Sequence, residues 1–568
     1  MIGYETTAAI VSTFALLIAS IYIGRKDLAE ELKKYMSISS TIAMLSIVAF
    51  FVAFAVLFVP AVEQLYFDEN IYQSIALNIL HSGNALWCQF GTGHVGKCYA
   101  NALYHDPVGW SVFIALAFAL FGIGTGTAYG LQLLVGALSI VAVFLLAGSV
   151  FENKEIAALS ALALAVSPEL YIWARTQADI DLPFMMLSAF AFFFFVVFAK
   201  NKNRRTLSMF AFATILAVYM RIEGILLVPL FIFLFFVYSS KGVKETFKES
   251  IKEAVKVVKE DSRTLLLLLL FIILLFPEVH YVALESENPN YGQNTDESVI
   301  SLSNFKQNIR INLYYVFGLI NGENMYPTEF LNTATPLALL GILLLFLNYD
   351  RANKAGIAAL LGLWPLLYFL FYTSFYAGAA TYGVDVRFML QILPGIAALS
   401  GFAIYQIGQD ISSLIRHRGP RGYAIVAIIA ALLLICPFYL EAGDITMKPS
   451  QMPQQLQIYQ VMQDFYNTYN AVPENCLVFS STPDIWFEVN RSAAQEGYLF
   501  SRNNATITDE LRKYKCFVFD YGYWCTVPPQ HNGICQAVIN SFKTKVLATD
   551  ATPDGNNVTY YALLNYTP

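Results

Sequence analysis

The stretch SIVAFFVAFAVLFVPAV, Ser46 to Val62, carries no charge and runs directly into Glu63-Gln64-Leu65-Tyr66-Phe67-Asp68-Glu69-Asn70. A run this apolar reads as the core of a helix that crosses a bilayer, which takes about 20 such residues. The acids Asp68 and Glu69 therefore lie at a membrane surface. Charge so close to hydrocarbon is costly, and it is retained chiefly where it has work to perform. A second acidic pair, Asp179 and Asp181, stands beside a later apolar run. Two such pairs point to chemistry on a substrate carried by lipid.

Working outward, the same reading covers most of the chain. Of 568 residues, 57% are hydrophobic and only 13% charged, which excludes a soluble enzyme. Stretches such as Thr264 to Phe276 could not face water. The first residues lack a basic segment and a small-residue cleavage site, so the first apolar run is expected to stay in the protein. Basic residues gather in five connections: Arg25 to Lys34, Lys200 to Arg205, Lys241 to Arg263, Arg351 to Lys354, and Arg416 to Arg421. The positive-inside rule puts all five in the cytoplasm. Nothing in this distribution suggests a nucleic-acid partner.

Twelve spans follow, at about 6–24, 40–62, 128–149, 156–172, 182–199, 206–219, 224–240, 264–282, 333–348, 356–376, 386–409 and 422–440. Both termini fall outside. The expected fold is a polytopic α-helical membrane protein with a small C-terminal extracytoplasmic α/β domain. Residues 1–37 form an extra N-terminal helix and cytoplasmic loop. Residues 38–440 form the membrane domain, with external loops 63–127 and 283–332 and a cytoplasmic amphipathic segment over 241–263. Residues 441–568 form the external domain. Trp110 to Gly122 is too short for a crossing and reads as an interfacial or re-entrant helix. By parity, Asp68, Glu69, His94, His105, Asp106, Asp179, Asp181, Arg221, Glu223, Glu278, His280, Asp385 and Arg387 share the external side.

Cysteines and sequons agree with that orientation. Cys88 and Cys98 lie in the first external loop, and Cys476, Cys516, Cys525 and Cys535 lie beyond the last span; only Cys436 is within one. Even groups in external segments fit disulfides, with three pairings open for the last four. A four-cysteine zinc site is the rival, disfavoured by the lack of a CxxC. Glycosylation sequons occur at Asn490, Asn504, Asn557 and Asn565, which suggests an archaeal or eukaryotic exterior. In the tail, Gln454 to Tyr469 has helical spacing, whereas Cys476–Phe479, Cys516–Phe519 and Val558–Leu564 read as strands.

The order of these parts resembles the GT-C superfamily of integral-membrane glycosyltransferases, in its protein O-mannosyltransferase and aminoarabinose-transferase-like branch. Tyr66-Phe67-Asp68-Glu69-Asn70 is similar to that family's first acidic motif. His105-Asp106-Pro107-Val108 resembles its His-Pro-Pro-Leu element, with Asp106 in place of the first Pro, and a short helix closing at Phe121-Gly122 follows. Ser167-Pro168-Glu169 and then Arg175-Thr176-Gln177-Ala178-Asp179-Ile180-Asp181 resemble its Ser-Pro turn and second acid. Arg387-Phe388-Met389-Leu390-Gln391-Ile392-Leu393-Pro394 resembles its late helix.

The resemblance implies transfer of a sugar from a polyprenyl (dolichyl) phosphate to a protein, glycan or lipid acceptor on the external face. A phosphate-linked sugar already has a leaving group, so such a site needs a base for the acceptor hydroxyl and a cation for the departing phosphate. Asp68 is the expected base and Glu69 its positioning neighbour. Arg387, then Arg221, are the expected phosphate contacts, since a guanidinium grips phosphate oxygens in pairs. The plainer readings are an N-cap for Asp68, an Asp385 pair for Arg387 and a Glu223 pair for Arg221. Asp179 and Asp181 are expected to contact sugar or acceptor, or to join Asp68 around Mg²⁺ or Mn²⁺. His105, Glu278 and His280 are further candidate substrate contacts. An oligosaccharyltransferase-like transfer of a lipid-linked glycan is the first alternative, although Tyr521-Gly522-Tyr523-Trp524-Cys525 lacks the Trp-Trp-Asp motif expected there. A lipid or solute transporter is another, but no internal repeat is seen.

Overall fold

The computed structural model describes residues 2–61, 68–88, 91–92, 98, 102–176, 178–239, 262–286, 300–319, 329–348, 351–376, 378–380, 385–414, 420–446, 464–489, 491–500, 511–522, 525, 529–551 and 557–566. The expected amphipathic segment at 241–259, His94, Asn490 and Asn504 lie outside them. Each of the twelve expected spans overlaps helix among the described residues. Among the described residues, nine helices are long and apolar enough to cross a membrane, or ten if one bent pair counts as a single span.

That bent pair corrects the sequence reading of 156–172 as one helix. Lys154–Ala165 and Pro168–Ala174 meet at 62°. Pro168 has no N–H to continue the first helix and instead opens the second, where its fixed φ is suited. Arg204–Met220 and Leu227–Ser239 are the two shorter members. The late span also begins differently than expected: Asp385–Ile392 is a 3₁₀ helix that becomes the α-helix Leu393–Leu414 at Pro394. Trp110 to Gly122 is indeed a short helix, Gly109–Phe121, and Gly122 at φ +95° with Gly124 at φ +157° turns the chain into Thr125–Phe151.

Asp181–Asn201 and Val386–Leu414 form the centre, with 83% and 94% of their apolar windows buried, whereas Ile38–Phe58 has only 11% buried and faces outward. The Phe192 to Phe195 run is core rather than lipid surface, with Phe192 stacked on Trp364. Helices approach closely where side chains are small. A Cβ on Gly401 would strike the Ser160 backbone.

Asp181–Asn201, about 30 Å long at 1.5 Å per residue, has an acid at one end and a base at the other. At the far end Lys200 meets Glu31 at 2.7 Å and Glu152 at 2.8 Å, while Lys34 also pairs with Glu31. Lys34 and Lys200, from the first two basic connections, thus lie at the end of this helix away from Asp181. The first helix, Ile2–Ile23, begins beside the end of Asp68–Ser82, where Ala85 N–H donates to the Gly3 carbonyl.

The C-terminal segment builds a six-stranded sheet in the order β1-β3-β2-β4-β6-β5. Its strands are β1 (Gly91–Thr92), β2 (Cys476–Ser480), β3 (Ser492–Gln495), β4 (Cys516–Tyr521), β5 (Thr544–Ala551) and β6 (Asn557–Leu563). β2 runs parallel to β3 and β4; the other pairs are antiparallel. β1 comes from the first long loop, so that loop and the tail share one sheet. Trp87 Nε1 donates to Asp484 at 3.2 Å across the same junction. The cysteines pair as Cys88–Cys98, Cys476–Cys516 and Cys525–Cys535, which rules out the zinc alternative. Asn557 opens β6, and the Asn565 side chain accepts from Lys543 N–H at 2.7 Å.

Candidate active site

Asp68 is the first residue of the helix Asp68–Ser82, where a carboxylate is favoured by the exposed N–H groups and the helix dipole. Its Oδ2 lies 3.4 Å from Arg387 Nη1, and its Oδ1 accepts from the Tyr104 hydroxyl at 3.3 Å. Arg387 comes from the 3₁₀ turn that heads the late helix. Its Nε is 3.6 Å from Asp181 Oδ2. Asp181 opens the central helix and takes Arg221 Nη1 at 2.9 Å on its other oxygen. Arg221 spends its remaining fork on Glu223, at 3.2 and 3.0 Å. The sequence Asp68–Arg387–Asp181–Arg221–Glu223 is therefore one alternating chain of charges. Partners from four separate chain segments neutralise one another in it.

Asp179 takes a different part. Its carboxylate accepts the N–H groups of Asp181 at 3.1 Å and Leu182 at 3.4 Å, so it caps the central helix. Gln132 holds the Asp179 carbonyl at 2.8 Å, and Gln391 holds that of Asp181 at 3.1 Å. Such bonds fix where Asp181 points.

Asp106 is the residue sequence reasoning undervalued. It departs from the family pattern in sequence, and the fold brings it into the site. Tyr72 donates to its Oδ2 at 2.5 Å, and His105 Nε2 is 3.7 Å from the same atom. The His105 side chain is 47% exposed and its ring lies against Tyr104. Tyr72 and Tyr104 meet edge-on and line the two acids. Glu69, the next residue of the helix after Asp68, is fully buried.

The electrostatics separate the two carboxyls. Burial pushes the Asp68 carboxyl above the usual range against the pull of Arg387, and Asp106 adds to the rise. Exposure of 27% of the side chain moderates it. Burial also opposes charge on Asp106, yet His105, Arg221 and the Tyr72 hydroxyl hold that carboxyl below the usual range. Tyr72 and Tyr104 are raised, mainly by burial, and remain hydroxyl donors. Two neighbouring acids whose affinities for protons are driven apart can divide base and counter-ion roles.

A short helix completes the frame. Gly109 begins Gly109–Phe121, and any Cβ there would collide with the Tyr219 carbonyl, two residues before Arg221. Glu278 and His280 are not tied to this charge chain. Glu278 is fully buried in the helix Ser262–Ser286, and His280 rests on Phe276. That helix reaches the site through Tyr281, whose hydroxyl accepts from Tyr104 N–H at 2.8 Å.

The residues do not fit the divalent ion considered from sequence. Asp179 uses its oxygens on backbone N–H groups, and Asp181 faces two guanidinium groups. Among the described residues no three His, Cys, Asp or Glu side chains are grouped as ligands. No step below is routed through a metal.

Residues 105–259 match the family described as dolichyl-phosphate-mannose-protein mannosyltransferase. Among solved structures the chain is similar to ArnT from Cupriavidus metallidurans bound to undecaprenyl phosphate. The TM-score is 0.56 at 13% identity, covering 93% of this chain and 98% of that one. The apo state of the same protein gives 0.55 at 13% identity, over 92% and 97%. The apo oligosaccharyltransferase of Archaeoglobus fulgidus gives 0.50 at 14% identity, over 92% and 74%. No curated protein sequence matches the chain.

Proposed function

We propose that this chain is a membrane glycosyltransferase of the GT-C form, a reading supported by its likeness to ArnT and by the mannosyltransferase family match over residues 105–259, and that it moves a sugar from a polyprenyl phosphate to an acceptor hydroxyl at the extracytoplasmic face. One observation carries the reading: Asp68 and Asp181, far apart in sequence, meet around Arg387 at the end of the central helix away from Lys200.

In this mechanism the acceptor O–H faces Asp68, which takes its proton. The acceptor oxygen forms a bond to the anomeric carbon. The bond from that carbon to the phosphate oxygen breaks, and its electron pair stays with the phosphate. Arg387 meets the growing charge. Asp181 and Arg221 hold Arg387 and the sugar end in place, and Asp179 positions Asp181 through the helix start. Asp106, kept charged by its neighbours, is a counter-ion rather than the base. The three disulfides support an oxidising, extracytoplasmic side for this end.

The test is release of polyprenyl phosphate by the purified protein, supplied with a polyprenyl-phosphate sugar and an acceptor. Release is expected from the native chain and not from Asp68→Asn; full turnover in the variant removes Asp68 as base. Cysteine labelling at positions 203 and 500 tests the sidedness, with only 500 expected to react from outside.

A further inference from the structure

We propose that the Asp68–Arg387 contact is a lock opened by the donor's phosphate, so that donor binding itself turns Asp68 from a counter-ion into a base. This rests on the reading above, in which Arg387 receives the phosphate and Asp68 the proton.

The contacts of Arg387 are unequal. Its guanidinium makes one hydrogen bond among the described residues, to Asp68 at 3.4 Å. Toward Asp181 it has only a 3.6 Å ion pair, in which neither Arg387 Nε nor Asp181 Oδ2 is hydrogen-bonded. Five N–H groups in a rigid fork are thus mostly unspent. Asp181 is secured without Arg387, by Arg221 at 2.9 Å and by the helix beginning at its own backbone. Its side chain is fully buried, whereas Asp68 is 27% exposed. An entering anion therefore meets Arg387 from the Asp68 side.

The donor's phosphodiester carries one charge, as a carboxylate does, but it offers two free oxygens to two N–H groups of the fork, so it outcompetes a single long contact. When Arg387 transfers, the Tyr104 hydroxyl still holds Asp68 Oδ1 at 3.3 Å. Asp68 stays in place but loses its neutralising cation, and its affinity for a proton rises. The acceptor is then deprotonated only when a donor is present. After the sugar moves, polyprenyl phosphate leaves, the Asp68 proton passes to water, and the contact with Arg387 re-forms.

Direct binding of undecaprenyl phosphate to the full chain in detergent tests this, with native protein, Asp68→Asn, Arg387→Gln and the double variant. If the lock exists, Asp68→Asn binds the probe about three- to tenfold more tightly, since the phosphate no longer displaces a partner. That gain disappears in the Arg387→Gln background. No gain, weaker binding, or an equal gain in both backgrounds overturns the lock; the last would mean plain repulsion between Asp68 and phosphate. Native-like affinity in Arg387→Gln alone instead defeats the assignment of Arg387 to the phosphate. Should Arg387→Gln fail to fold, Arg387→Lys, which keeps the charge but loses the fork, serves in its place; there the gain from Asp68→Asn is expected to shrink.

Discussion

Arg387 and Asp68 are 319 residues apart in the chain and 3.4 Å apart in the fold. Arg387 also reaches Asp181, so a single guanidinium joins the two acidic motifs. Both carboxylates face the same cation rather than one another. With it, both can remain charged at the mouth of an apolar bundle, where an unpaired acid is most costly.

Asp68 and Asp106 are expected to behave differently when each is neutralised. Asp68→Asn should lower kcat by about 10²- to 10⁴-fold, the usual reach of general base catalysis. Asp106→Asn, which keeps the Tyr72 partner, should cost much less. Rates of polyprenyl phosphate release under saturating donor decide this. Equal losses would assign the proton to the pair rather than to Asp68.

Asp179 and Asp181 should also part company. Asp179→Ala removes a helix cap and is expected to cost about 1 kcal/mol of stability, seen as a lower melting temperature. Asp179→Asn retains an oxygen for the Asp181 and Leu182 N–H groups and should restore most of both stability and activity. Asp181→Asn has no such escape, because its charge faces Arg221 and Arg387. Loss of activity in Asp179→Asn as deep as in Asp181→Asn would mean that Asp179 touches substrate.

The spans were readable because an apolar run of membrane length has few other meanings. Asp68, Asp181 and Arg387 were legible as candidates for the same reason: each is a charge at the end of such a run. Which of them touch was not, since contact across 319 residues leaves no trace in local spacing. Asp179 looked like a twin of Asp181 until the backbone N–H groups it caps were seen. In the tail, β2, β4 and β6 were recognised from apolar runs. β3, Ser492–Gln495, is four residues with two alanines, and β5 carries Lys545, Thr549 and Asp550. Their strand state comes from pairing with neighbours rather than from their own propensity.

The disulfides of the tail should differ in worth. Cys476 and Cys516 are direct register partners on β2 and β4 and close 40 residues, while Cys525 and Cys535 close 10. On the loop-entropy estimate these correspond to about 3.9 and about 2.7 kcal/mol. Paired Cys→Ala variants compared by thermal unfolding should show the larger drop for the first bridge. The reverse order would place the strain or the residual structure elsewhere.

Acid is expected to strengthen the tail and its junction with the first loop. Burial pushes the carboxyl of Asp484, which receives Trp87 Nε1, up to about 7, and those of Glu496 and Asp520 to about 7 and about 6. In the unfolded chain these groups titrate near the ordinary carboxylate values of about 4. Between roughly pH 4 and 7 the folded state therefore holds more protons than the unfolded one, and stability falls as pH rises. The stabilisation is complete below about pH 4 and gone above about pH 7. Unfolding temperature should accordingly decline from pH 5 to pH 8. Asp484→Asn, which keeps an acceptor for Trp87 and cannot ionise, should flatten that decline and raise stability most at pH 8. If the slope persists unchanged in the variant, Glu496 and Asp520 account for it and the Trp87 junction is insensitive to pH.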